Sequence, residues 1–127
     1  MSNSRWWYGI TVFPATLLTA LLSRFGTRAF LTASASSGNP DVGVAVASFL
    51  LSVLSFWLGL FVGLLASVCL LLDVRSLRSG DHWSPSRLWG LVGVIHLAAA
   101  VYSPLLLVSL PALSAYLYRR HVIVGRP

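Results

Sequence analysis

The chain has 127 residues, of which 57% are hydrophobic and 9% charged. A water-soluble domain carries about 25% charged residues, so a globule coated only by water is excluded and lipid is expected to be part of the solvent. The net charge of +6 comes from nine Arg against three Asp, with neither Lys nor Glu. These arginines flank apolar segments, as membrane-bordering residues do, so no nucleic-acid partner is expected. The single Cys, Cys69, excludes an internal disulfide.

In chain order, Trp6, Trp7 and Tyr8 stand at the start of the first apolar run, where amphipathic rings suit the headgroup region. The first span is expected at about 6–23, with Pro14 inside it and Thr11 or neighbouring helices compensating for the lost hydrogen bond. A signal-peptide reading would take Arg5 as the basic lead and Ala33-Ser34-Ala35 as the cleavage site. Arg24 and Arg28, lying between the apolar core and that site, speak against it. Residues 24–41 read as a loop that ends in a Ser/Gly/Asn/Pro cluster, with Asn39 or Asp41 placed to cap the next helix.

The second span, 42–72, organises the chain. It has no charge and no proline, and at ~1.5 Å per residue it outruns the ~30 Å bilayer core. Ala45, Ser48, Ser52, Ser55, Gly59, Gly63 and Ser67 recur at steps of three or four. They fall within roughly 120° of arc, with Asp41 and Asp73 on the same side. This stripe is a helix-packing face, for helices of the same chain or for a partner subunit. Residues 73–84 form a polar loop, in which Asp73 has Arg75 and Arg78 as local ion-pair partners. Ser84-Pro85 is the expected start of the third span.

Residues 88–118 are apolar but interrupted by Pro104 and Pro111. A turn near Tyr102-Ser103-Pro104 makes spans of about 85–102 and 105–121, and thus an all-α integral membrane protein with a compact bundle of four transmembrane helices. The alternative is three spans, the last long and kinked at Pro104. Four spans collect seven arginines on one side and leave only Arg24 and Arg28 on the other. By the positive-inside rule that places both termini in the cytoplasm and makes Arg75, Arg78, Arg87, Arg119 and Arg120 a cytoplasmic basic rim. The rim suits anionic lipid or an acidic docking partner.

Several short motifs are similar to those of small multi-span membrane proteins of halophilic archaea. They are Trp6-Trp7-Tyr8, the run from Asp73 to Arg78, Trp83-Ser84-Pro85, and Tyr116 to His121 with Gly125-Arg126-Pro127. The family is uncharacterised, so the resemblance implies a membrane location and a source but no activity.

His96 is the one ionisable side chain deep in a span. It shares a face with Gly93, Ala100 and Ser103, suited to meet the small-residue stripe. A proton relay is one reading; a neutral imidazole hydrogen-bonded to Ser48, Ser52 or Ser55 is the plainer one. His82 and His121 with Asp73 and Asp81 are the only conceivable metal ligands, and they lack any ligand spacing. No catalytic motif is present, so no enzyme activity, metal or cofactor is expected. The expected function is a structural or accessory subunit, packing in a larger membrane complex or as a homo-oligomer in the plasma membrane. The alternative is a transporter or channel component with a Ser/His-lined polar path.

Overall fold

The computed structural model describes residues 5–35, 38–81 and 83–125. His82 and Arg126, which enter the metal and charge arguments above, lie outside them. The described residues form helices joined by turns and irregular segments: α1 (Trp7–Ile10), α2 (Pro14–Ala35), α3 (Val42–Arg78), α4 (Leu88–Ala98) and α5 (Leu106–Val124), with a short 3-10 turn at Ser103–Leu105.

Pro14 separates α1 from α2 because it cannot donate to the Ile10 carbonyl. The chain tightens instead: Phe13 N donates to Ile10 O at 3.0 Å and Ala15 N to Val12 O at 2.9 Å. Thr11 Oγ1 donates to Tyr8 O. The helix then continues well past the expected limit at 23. Arg24 and Arg28 sit inside α2, which runs to Ala35, so helix replaces the loop expected over 24–35. No proline interrupts 24–35, and Thr27 and Thr32 send their hydroxyls back to the Ser23 and Arg28 carbonyls. These bonds satisfy polar groups within the helix.

Asp41 caps α3, its Oδ1 accepting from Val44 N at 3.1 Å. At 37 residues, α3 is ~55 Å long. Two stretches, 7–35 and 42–78, are long and apolar enough to cross a membrane; α4 is shorter. The start of α4 corrects the Ser84-Pro85 expectation: the helix begins only at Leu88, whose N–H is taken by Ser86 Oγ at 3.2 Å. Its helical part ends at Ala98, and Tyr102 is extended (φ −118°, ψ 90°). The chain therefore turns before Pro104, and the 88–118 run is two helices rather than one kinked helix.

Gly9 lies against Cys69, Thr19 against Gly59, and Gly26 against Ser48 and Ser52. This descending register makes α2 antiparallel to α3. Gly93 against Ser67 and Leu97 against Gly63 make α4 antiparallel to α3 as well. Tyr116 on α5 returns to Asp73 at the far end of α3. Residues 5–13, 73–81, 83–87 and 116–125 thus gather at one end of the bundle. The α4–α5 turn reaches only the level of Ser55 and Phe56, beyond which α2 and α3 run on as a pair.

Candidate functional site

The buried interior is polar at two levels, and both lie on the faces that helical periodicity turns inward. On α5, Leu106, Ser109, Leu113, Tyr116 and Arg120 are buried, and the last four recur at steps of four, three and four, one narrow stripe. On α3 the small-residue stripe continues to Asp73, which has no exposed surface.

The first cluster lies where these stripes meet at the terminal end of the bundle. Asp73 Oδ2 accepts from Tyr116 OH at 2.7 Å and from Arg120 Nε at 2.8 Å. Arg120 is 4% exposed, which corrects its assignment to the basic rim. One residue on a helix is a ~100° rotation, so Arg119 faces out and Arg120 faces in. Asp73 likewise pairs across the bundle rather than with Arg75 or Arg78, which are exposed together with Arg87. Aromatic rings enclose the pair. Arg120 Cζ lies 5.9 Å from the centre of the Trp7 ring, and the rings of Trp83 and Trp89 sit 5.7 and 5.1 Å from that of Tyr116. A low-dielectric wall raises the cost of any unpaired charge, and here carboxylate and guanidinium balance each other in place. The chemistry of this cluster is that of a clasp between α3 and α5.

Beside it is a cleft of about 430 Å³ lined by Trp7, Tyr8, Thr11, Leu117, Arg120, His121 and Gly125. Trp7 Nε1 is the one fully buried side-chain nitrogen or oxygen among the described residues that lacks a hydrogen-bond partner.

The second cluster is at His96, fully buried. Its Nε2 is 3.1 Å from Thr16 Oγ1 and its Nδ1 is 3.0 Å from Ser109 Oγ. The imidazole therefore ties α4 to α2 and α5, not to Ser48, Ser52 or Ser55 of α3. The reason is local. At the level of His96, α3 presents Gly63, which approaches the His96 carbonyl and Leu97 and brings no hydroxyl. A hydroxyl can donate or accept, so either neutral tautomer is satisfied from both sides.

The stripe itself is shared between two helices. Gly26 of α2 lies against the backbone of Ser48 and Ser52, and Thr19 lies against Gly59. Thr27 Oγ1 and Ser52 Oγ are 2.7 Å apart. Gly63 and Ser67 face α4, Ser67 Oγ donating to Gly93 O at 2.6 Å. Ser55 is buried, and Ala45 near the start of α3 is half-buried. The His96 face thus meets only the later part of the stripe, and α2 covers the earlier part.

Thr16, Ser109 and Tyr116 were not singled out from the sequence. Their signal was there for α5, whose four-residue inward stripe joins a serine to an arginine. It was absent for Thr16, one hydroxyl among many in an apolar helix. No cluster of three or more His, Cys, Asp or Glu able to hold a metal occurs among the described residues. No family model, curated protein sequence or solved structure matches this chain.

Proposed function

We propose that this chain is a small multi-pass protein of the cell membrane. It acts without enzymatic chemistry, as a structural or accessory subunit that packs in a larger membrane assembly or with copies of itself. One observation carries the reading: polarity is reversed relative to a soluble bundle. Thr16, Thr19, Ser48, Ser55, Ser67, Asp73, His96, Ser109 and Arg120 are buried, while Leu18, Phe25, Leu54, Trp57, Phe61, Leu91 and Leu107 are more than half exposed. Apolar side chains so distributed on α2, α3, α4 and α5 suit a hydrocarbon solvent, and the internal partners of Thr16, Thr19, Ser67, Asp73, His96, Ser109 and Arg120 are what that solvent demands.

The charge pattern supports an orientation with both termini cytoplasmic. Arg5, Arg75, Arg78, Arg87 and Arg119 are exposed and lie at the end of the bundle that holds residues 5–13 and 116–125. A transporter or channel role draws less support. Both nitrogens of His96 are engaged, Asp73 is matched by Arg120, and Ser52 and Ser67 are bonded to neighbouring helices.

The test is extraction of the full chain into lipid nanodiscs under mild conditions, with identification of what accompanies it. A defined partner or a discrete oligomer is expected. A monomer recovered alone under every extraction condition would remove the accessory role.

A further inference from the structure

At the level where the α4–α5 turn meets α2 and α3 there is a second cavity, of about 120 Å³. Its lining includes Thr19, Ser23, Arg24, Ser55 and Ser103. It is large enough for several waters or for one tetrahedral oxyanion. No Asp or Glu lines it.

The hydroxyls divide into two groups. Thr19 Oγ1 donates to Thr16 O, and Ser23 Oγ reaches Ser52 O at 3.4 Å. The side chains of Ser55, Ser103 and Arg24 make no hydrogen bond or ion pair among the described residues. Ser55 is 6% exposed and lines the cavity, which leaves its hydroxyl open to an occupant there. Arg24 adds a permanent positive charge on a helix otherwise edged by Leu21, Leu22 and Phe25, all exposed. A guanidinium beside lipid-facing residues is stabilised by a counter-anion. Arg28 follows one turn later on the same helix, also exposed. The contrast with the larger cleft decides the matter: there the charge of Arg120 is already matched by Asp73.

We infer that this cavity is a binding site for a phosphate oxyanion, with Arg24 supplying the charge and the Ser55 and Ser103 hydroxyls donating to its oxygens. A phospholipid headgroup and inorganic phosphate share that chemistry. The inference rests on the membrane location proposed above but not on the packing role, since it concerns the occupant of one cavity rather than the partner of the whole bundle.

Native mass spectrometry of the detergent-purified full chain tests it, with phosphatidylglycerol, a glucosyl diacylglycerol without phosphate, and inorganic phosphate as probes. Phosphatidylglycerol is expected to remain bound where the glucosyl lipid does not. Arg24→Gln should weaken that binding on the order of tenfold. Arg24→Lys should retain most of it, Ser55→Ala and Ser103→Ala should weaken it, and Arg119→Gln at the other end of the bundle should leave it unchanged. Displacement of the lipid by inorganic phosphate, with the same dependence on Arg24, supports the site with free phosphate as its source. Equal retention of the two lipids overturns the inference. So does phosphatidylglycerol binding that survives Arg24→Gln and Ser103→Ala in variants with unchanged helicity.

Discussion

Asp73 and Arg120 are separated by 47 residues in sequence and 2.8 Å in space. Removing either side breaks this buried ion pair, so Asp73→Asn or Arg120→Gln is expected to cost about 3–5 kcal/mol. Tyr116→Phe deletes one bond to a charged acceptor and is expected to cost about 1.5–3 kcal/mol. Arg119→Gln, one residue from Arg120 but exposed, should leave the melting temperature unchanged. Thermal or denaturant unfolding in a single detergent checks the ranking, and a cycle combining Asp73→Asn with Arg120→Gln should show strong non-additivity. The side of α3 on which Asp73 lies was legible from the 100° rule. Its partner was not, because periodicity assigns a residue to a face and says nothing of which other face it meets.

The same distinction holds for the helices. Gly59 and Gly63 carry equal weight in a GxxxG reading, yet their surroundings differ. A Cβ at Gly63 would find its nearest neighbour at 3.8 Å, whereas one at Gly59 would stand 2.8 Å from Thr19 Oγ1. The tightest backbone approach is at Gly26, which the sequence did not mark. A Cβ there would lie 2.8 Å from Ser52 N and 2.9 Å from Ser48 O, both main-chain atoms with no rotamer to escape into. Gly26→Ala is therefore expected to push α2 off α3 and cost about 1–3 kcal/mol, while Gly63→Ala should be tolerated. The measurement is unfolding of the two variants side by side. The inverse ranking would show that α2 does not seat on the serine stretch of α3. Helix α2 was also underestimated in length. Its arginines suggested an exit from the apolar phase, but an arginine ends a hydrophobic run without ending a helix, for which it is a good former.

At the scale of the whole molecule, the up-and-down order of the helices brings residues 5–13 and 116–125 to the same end of the bundle. In the proposed membrane orientation, the α4–α5 turn is expected at the outer face. Ser103→Cys, in a chain with Cys69 replaced by Ala, should be labelled by a membrane-impermeant thiol reagent applied outside intact cells, and a cysteine at Ser79 should not. Labelling at Ser79 alone would invert the orientation. Protection at both positions would argue against a membrane-crossing hairpin.

Local quantities are readable from the chain alone: the scarcity of charge, the apolar length and small-residue face of α3, a cap at Asn39 or Asp41, and a break near Pro104 that is either a turn or a kink. Each depends on residues a few positions apart and on fixed helical geometry. Only the tertiary structure decided that Arg120 is interior while Arg119 is not, that His96 joins Thr16 and Ser109, and that α2 covers Ser48 and Ser52 of α3 while α4 takes Ser67. These are choices among several hydroxyls, arginines and glycines of similar local character. They are settled by which helices approach closely enough to pair the buried polar groups of several helices together. That condition links residues up to 80 positions apart, and no local pattern carries it.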